Sequence, residues 1–329
     1  MAARNGPRVW AIFMADLSPR ISDFLTGTRW QNWRVTALAG DASARRYLRL
    51  TGPGGDSAIL MDADPATGED TAPFLAIAAW LDDQGLRAPR LLHGDRSRGL
   101  LVLEDLGTDT IATAATTVSE DVLYDAAVDV LIRLDGLTPP GGLPVMTPDV
   151  GAQMIAITAQ NYHSCDPGPL VSAMKEALQV HAPTADRMAL RDYHAENLIW
   201  RPDRVGTDRI GLLDFQDAFV APRGYDLASL LRDIRRTVSP AQVVRQTGRF
   251  ADALGADRAV IEASFATLGA QRNLRILGVF ARLAQNGKPR YAALLPAVWD
   301  ALLLDLAHPA LTTLRGAVLG SLPPPQDRP

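Results

Sequence analysis

The spacing of the apolar residues changes near residue 105, and this change limits the possible folds more than any other feature of the sequence. Before that point, short segments such as ARRYLRL at 44–50 alternate with a period of two, which is typical of β-strands. After it, apolar residues recur at helical spacing over 119–136, 148–163, 168–181, 225–236, 239–254, 257–285 and 291–305. The sequence therefore predicts a sheet-containing region followed by a helical one.

The first region, residues 1–104, is predicted to form a small antiparallel sheet of about five strands with one long helix over 71–83. The second region, residues 105–329, is predicted to be mainly α-helical, with a hairpin-like insertion near 190–216. We therefore expect an α+β protein with two lobes, the first binding a nucleotide and the second carrying the catalytic and acceptor-binding groups. The proline-rich end of the chain, 321–329, is expected to fray.

Composition excludes several kinds of site and partner. The formal net charge of the 329-residue chain is −4, which gives no reason to expect nucleic acid or a membrane as a partner. The single cysteine, Cys165, excludes an intrachain disulfide and a cysteine-rich metal site. No apolar stretch approaches the roughly 18 residues of a spanning helix, and the N-terminal apolar run is too short for an export signal. We expect a cytoplasmic protein that acts on a small molecule, and the sequence leaves its oligomeric state open.

Three polar residues of the second region have the order and separation that phosphoryl transfer requires. Asp192 and Asn197 lie five residues apart in RDYHAENL, and Asp214 follows 22 residues after Asp192 in LLDFQDA. One carboxylate can position a hydroxyl group and accept its proton, while an amide oxygen and a second carboxylate can hold Mg²⁺ on nucleotide phosphates. Asp192 is therefore the candidate base, and Asn197 and Asp214 are the candidate metal ligands.

The same two segments resemble the catalytic loop and the metal-binding motif of the aminoglycoside phosphotransferase family, whose fold is protein-kinase-like. Four more segments are similar to bacterial sugar kinases of that family: LAGDASARRYLRL at 38–50, LVLEDLG at 101–107, YDLASLLRDIRR at 225–236 and AQRNLRILGVFARLA at 270–284. Those kinases phosphorylate the anomeric hydroxyl of N-acetylmuramate and N-acetylglucosamine during peptidoglycan recycling. The resemblance implies ATP, Mg²⁺ and an amino-sugar acceptor. It also places His194 where the family often has a loop-bracing histidine, although a structural histidine with local hydrogen bonds is the preferred interpretation. Asp226 is interpreted as a helix N-cap or as a brace for the catalytic loop.

The resemblance also places a nucleotide loop at Gly40, Asp41, Ala42 and Ser43. The loop contains one glycine and is therefore not a glycine-rich phosphate-binding loop. Its backbone N–H groups and the Ser43 hydroxyl can still donate hydrogen bonds to phosphate oxygens. An ordinary hairpin turn is the alternative for so short a signal.

The lysine that the family is expected to carry one strand further on, after the strand at 44–50, is absent. SAILMD at 57–62 has Met61 or its neighbours in that place, and both lysines of the chain lie in the second region. Among the arginines of 44–50, strand alternation sends Arg46 to one face and Arg45 and Arg49 to the other. We expect Arg46 to face the cleft and bind the nucleotide phosphates. The alternative is an exposed arginine on a solvated strand.

Four other residues are assigned around the nucleotide. Glu69 or Asp70, just before the long helix, is a candidate partner for the phosphate-binding cation, although acidic residues also suit a first helical turn. By analogy with the family, Glu104 and Leu106 would offer backbone groups to adenine.

Two alternatives to an amino-sugar kinase stay open. One is a kinase for another acceptor, such as an aminoglycoside or a choline-like amine, which calls for an acidic or aromatic pocket. The other is an inactive nucleotide-binding pseudokinase, which the missing lysine supports and the intact catalytic groups oppose. An anionic acceptor such as N-acetylmuramate is favoured over a polycation by the arginines of the last helices, namely Arg232, Arg235, Arg236, Arg272, Arg275 and Arg282.

Overall fold

The structure, a computed structural model, describes residues 11–12, 17–38 and 44–327. These residues form two compact units. The first contains the described residues up to Thr108 together with Gly211–Gln216, and the second contains Asp109–Ile210 and the described residues from Asp217 onward. Segment 211–216 therefore groups with the first unit, although the sequence assigned it to the second region. The functional division at residues 104 and 105 stays a prediction.

The first unit is built on a six-stranded antiparallel sheet with the strand order β1-β2-β3-β4-β6-β5. Its strands are β1 (Ala11–Ile12), β2 (Arg34–Ala37), β3 (Arg46–Thr51), β4 (Ser57–Asp62), β5 (Leu91–Asp95) and β6 (Leu100–Glu104). Two helices belong to it, the short α1 (Pro19–Leu25) and the longer α2 (Ala72–Asp83). The sheet confirms the predicted antiparallel arrangement and contains one strand more than the five expected.

One face of this sheet packs against a hydrophobic cluster of the first unit. Leu48 and Leu50 of β3 are buried in one cluster with Phe24 of α1 and with Trp30. Each such side chain contributes about 1.5–3 kcal/mol when fully buried. Because side chains alternate along a strand, the even-numbered residues of β3 point to this core and the odd-numbered residues point to the opposite face.

The second unit is mainly helical, which confirms the predicted α+β class. Its helices are α3 (Ile111–Ala114), α4 (Glu120–Asp135), α5 (Pro148–Gln153), α6 (Ala156–Asn161), α7 (Gly168–His181), α8 (Tyr225–Leu231), α9 (Pro240–Ala253), α10 (Arg258–Gln285), α11 (Leu295–Leu306) and α12 (Thr312–Ser321). Short strand pairs interrupt them, formed by β7 (Ala185–Ala189) with β10 (Phe219–Pro222) and by β8 (Leu198–Trp200) with β9 (Ile210–Leu212).

The end of the chain departs from the sequence prediction. Leu322 is buried, and the Tyr162 hydroxyl donates a hydrogen bond of 2.8 Å to the carbonyl oxygen of Pro323. The predicted fraying is therefore wrong as far as Pro323, because a leucine and a carbonyl acceptor both find partners in the fold. Within the described ranges, no individual helix combines the length and apolar character needed to cross a bilayer.

Candidate active site

The loop between β7 and β8 carries Asp192, and a buried carboxylate holds its start. Asp226, in the first turn of α8, accepts hydrogen bonds from the backbone N–H groups of Leu190 at 2.6 Å and Arg191 at 3.0 Å. Burial raises the pKa of Asp226 to about 7, these two hydrogen bonds lower it, and nearby Asp192 raises it. The interpretation of Asp226 as a brace for the loop is confirmed. Leu190 is held through its backbone N–H group.

The backbone is strained beside two of the predicted functional residues. In the described part of the chain, only two non-glycine residues have a positive φ: Arg191 at 76° and Asp214 at 57°. Such conformations cost free energy in L-residues, on the order of 1–3 kcal/mol, and persist where the surrounding structure enforces them. One of these residues directly precedes Asp192 and the other is the candidate metal ligand itself.

Asn197 is oriented by hydrogen bonds inside the same loop. Its Nδ2 donates to the carbonyl oxygen of Asp192 at 2.9 Å and lies 3.3 Å from Nε2 of His194. Burial, followed by the charges of Arg235 and Arg272, lowers the pKa of His194 to about 2, so the ring is neutral. Nε2 therefore accepts and Nδ1 carries the proton. Both amide hydrogens of Asn197 are then occupied, and its Oδ1 is left to meet a cation.

Asp214 belongs to the first unit and has its own polar surroundings there. Gln216 Nε2 donates to Asp214 Oδ1 at 2.8 Å, and between them the buried Phe215 stacks on Phe74 of α2 at 5.1 Å. Burial raises the pKa of Tyr47, nearby Arg45 lowers it and nearby Asp214 raises it. Asp214 therefore lies on the side of the sheet to which the odd-numbered residues of β3 point.

The expectation for Arg46 is wrong. The register of β3 and β4 sets Arg46 opposite Asp62, and Arg46 Nε donates to the buried Asp62 carboxylate at 3.1 Å. Arg20 of α1 also pairs with Asp62. The Arg46 side chain is 66% exposed. It lies on the same face of the sheet as Leu48, which packs in the apolar cluster, and therefore on the face opposite to Tyr47.

The opposite face of this segment carries a buried ion pair that the sequence analysis did not assign. Arg45 Nε lies 2.7 Å from Glu69 Oε2, with side chains only 12% and 17% exposed. Arg45 also contacts Tyr47, the residue next to Asp214 in space. The other candidate, Asp70, instead accepts a hydrogen bond of 2.8 Å from Ala72 N and so caps the start of α2. The sequence indicates Glu69 as a partner of the phosphate-binding cation, and the structure pairs Glu69 with Arg45 instead of Arg46.

The two residues assigned to adenine differ in availability. The N–H of Glu104 donates to Arg90 O at 2.8 Å and its carboxylate pairs with Arg87, so this N–H is already used. The assignment of Glu104 to adenine therefore stays a prediction for its carbonyl group alone, because Glu104 is the last residue of β6 and its N–H is held within the fold. Leu106 is half-buried and makes no backbone hydrogen bond with any described residue, which leaves its N–H and carbonyl groups for a ligand. Gly40, Asp41, Ala42 and Ser43 lie outside the described residues.

The donor chemistry of Asn197 and Asp214 fits Mg²⁺. Magnesium prefers oxygen ligands and is usually held by one or two protein groups together with substrate phosphates and water. The described residues contain no cluster of three or more histidine, cysteine or acidic side chains that could hold a metal by themselves. A carboxylate and an amide oxygen therefore suit a metal that arrives with a nucleotide better than a permanently bound one.

Comparisons with known proteins agree with these features. The model of the phosphotransferase enzyme family matches residues 34–263. The N-acetylmuramate/N-acetylglucosamine kinase of Caulobacter vibrioides is 37% identical, over 89% of this chain and 93% of its own length. The protein of the same name from Pseudomonas aeruginosa is 32% identical over 87% of each chain. A solved structure of a choline/ethanolamine kinase family protein from Mesorhizobium loti superposes with a TM-score of 0.62 at 16% identity, covering 93% of this chain and 97% of the other. That likeness shows the kinase-like fold.

Proposed function

The chain belongs to the phosphotransferase enzyme family and is a small-molecule kinase, and from this premise we propose the acceptor and the roles of the site residues. The proposed reaction transfers the γ-phosphoryl group of ATP to the anomeric hydroxyl of N-acetylmuramate or N-acetylglucosamine. Relatives named N-acetylmuramate/N-acetylglucosamine kinases match 89% and 87% of this chain, which supports the acceptor class. The observation that carries the proposal is the braced loop, in which Asp226 accepts hydrogen bonds from the N–H groups of Leu190 and Arg191, directly before Asp192.

Asp192 is the proposed general base. It would orient the acceptor hydroxyl and accept its proton while the oxygen attacks the γ-phosphorus. Its loop is fixed at the start by Asp226 and at the end by Asn197, so the carboxylate needs little reorganisation. Positioning of this kind supplies much of the catalysis in phosphoryl transfer, where the protein does little covalent chemistry.

Asn197 Oδ1 and the Asp214 carboxylate are the proposed ligands of Mg²⁺ on the ATP phosphates. Bound there, the ion would neutralise charge on the phosphate oxygens and align the leaving group. The hydrogen bonds described above prepare both side chains: Asn197 presents its oxygen, and Gln216 restrains one oxygen of Asp214.

The Arg45–Glu69 pair is proposed to take the part of the missing lysine. In protein kinases a lysine on the third strand binds the phosphates and is oriented by a glutamate on the adjacent helix. Here the cation comes from the start of β3 and the carboxylate from just before α2, with a distance of 2.7 Å between them. A guanidinium group has a planar fork that suits phosphate oxygens.

The experiment that tests the acceptor is ATP consumption over a panel of reducing amino sugars, choline, ethanolamine and aminoglycosides, with the product located by phosphorus NMR. We expect turnover with N-acetylmuramate and N-acetylglucosamine and a phosphate on the anomeric oxygen. Turnover with an amine acceptor and none with either sugar would overturn the proposal. Magnesium-dependent ATP binding without turnover on any acceptor would indicate a pseudokinase instead.

A further inference from the structure

Four of the six C-terminal arginines have an ordinary structural explanation. Arg232 pairs with Asp305 at 2.6 Å, Arg235 with Glu196 at 3.2 Å, and Arg236 with Glu120. Arg282, near the end of α10, is exposed to solvent. These four therefore need no ligand to account for their charge.

The other two, Arg272 and Arg275, lie one helical turn apart on α10 and have no such explanation. Arg272 is only 5% exposed, and Arg275 is half-buried. Neither side chain forms an ion pair or a hydrogen bond with any described residue. Buried guanidinium groups are rare in proteins unless an anion faces them.

Two carboxylates that interact electrostatically with Arg272 are already engaged by other groups. Asp226 accepts the two backbone N–H groups of the catalytic loop. Asp305 is bound by Arg232 and by Asn273 Nδ2, the latter at 3.3 Å. Both carboxylates interact electrostatically with Arg272, but neither forms a salt bridge or a hydrogen bond with it.

Arg275 lies beside the catalytic loop, next to a third arginine. Burial lowers the pKa of Arg275 most, the charge of Arg191 lowers it further, and Tyr225 and Asp192 raise it. The Arg191 side chain also forms no ion pair or hydrogen bond with the described residues. Three arginines, Arg191, Arg272 and Arg275, thus lie within electrostatic range of one another beside Asp192, and an anion bound among them would relieve their mutual repulsion.

We propose that Arg191, Arg272 and Arg275, the arginine cluster, form a subsite for the carboxylate of the acceptor, as in the lactyl group of N-acetylmuramate. The inference rests on the proposed function, since Asp192 must contact the acceptor hydroxyl and the cluster adjoins Asp192. Arginine binds carboxylates through two parallel hydrogen bonds, which fixes orientation as well as charge. N-acetylglucosamine lacks this carboxylate, so the subsite sets the preference between the two sugars rather than competence for transfer.

The test compares Arg275→Gln with the unmodified protein on both sugars, with Arg282→Gln as the matched control on the same helix. We expect Arg275→Gln to lower kcat/KM for N-acetylmuramate at least about tenfold more than for N-acetylglucosamine. The loss of a hydrogen bond between charged groups typically weakens binding by roughly that factor. The loss should appear mainly in KM. Arg282→Gln should leave the ratio of the two sugars unchanged.

A second comparison needs no variant and so does not depend on folding. The unmodified protein should prefer N-acetylmuramate to its methyl ester at least about tenfold, because the ester keeps the size of the group and removes its charge. Equal use of acid and ester, or equal loss on both sugars in Arg275→Gln, would overturn the subsite and assign the cluster to the transferring phosphoryl group. Absence of transfer to either sugar by the unmodified protein would instead overturn the proposed function.

Discussion

Arg45 and Arg46 are neighbours with the same charge, yet their surroundings differ completely. Arg46 is bound by Asp62 on the face that covers the apolar core, and Arg45 is bound by Glu69 on the face next to Asp214. Strand alternation correctly separates the two arginines into opposite faces. It does not say which face meets the ligand, because that depends on where α1 packs.

Arg45 and Arg46 give a direct comparison. Arg45→Ala should lower kcat/KM for ATP at least tenfold, about 1.4 kcal/mol of lost transition-state stabilisation. Arg46→Ala should change it much less, since Arg20 still neutralises Asp62. Arg49 is unsuitable as a control because it holds Asp105 and Gly107 at the end of β6. Steady-state kinetics with varied ATP would contradict this assignment if Arg46→Ala had the larger effect.

The metal ligands are tested by removing each side chain in turn. Asp214→Ala should abolish magnesium-dependent turnover, and Asn197→Ala should be milder because an amide carries no charge. Asp217→Ala removes the same charge from an exposed position three residues further on and serves as the control. The measurement is the rate as a function of magnesium concentration at fixed ATP. An unchanged magnesium dependence in Asp214→Ala would exclude it as a ligand.

At the scale of elements, the sequence predicts long periodic helices well and short connected ones poorly. Helices α4, α7, α9 and α10 begin and end within a residue or two of the predicted segments. The single helix predicted over 148–163 is two helices, α5 and α6, and the helix from 225 ends at Leu231 instead of 236. Apolar periodicity continues across such breaks because both pieces pack on one core.

The catalytic loop shows the same division between pattern and geometry. The residue types and separations of Asp192, Asn197 and Asp214 can be read from the sequence, because the chemistry requires them. The positive φ angles of Arg191 and Asp214 and the hydrogen bonds inside the loop that orient the Asn197 amide have no sequence signal. The unpaired state of Arg272 and Arg275 is equally invisible, since surface and buried arginines look alike in a sequence.

The close approach of α10 to α6 depends on a glycine. A Cβ atom on Gly278 would lie 2.6 Å from backbone atoms of Ile157 and Thr158. Gly278→Ala should therefore destabilise the protein by about 1–3 kcal/mol through overpacking. Gly316→Ala on α12, where nothing lies within 4 Å, should be neutral or stabilising by about 0.5–1 kcal/mol. Urea unfolding of the two variants checks this, and equal midpoints would contradict the close packing.

At the scale of the whole molecule, Asp226 links folding stability to pH. Burial raises its pKa to about 7, above the value near 3.9 of an unfolded chain, so the folded state retains a proton that the unfolded state releases. This contribution to stability is complete below about pH 4 and is lost as the pH rises towards 7. The free energy of unfolding of the unmodified protein should therefore fall relative to that of Asp226→Asn as the pH rises from 5 to 8. A gap in urea midpoints that widens over this range would show that the two N–H bonds keep the carboxylate ionised.

The central claim is that the braced loop performs phosphoryl transfer with Asp192 as its base. The most direct measurement is the turnover of Asp192→Asn beside its affinity for magnesium and ATP, determined on one preparation. The account predicts nearly unchanged nucleotide affinity and a turnover lower by about 10²–10⁴, the usual loss when a general base is removed. Turnover within a factor of a few of the unmodified protein would contradict the claim and remove Asp192 from the chemistry.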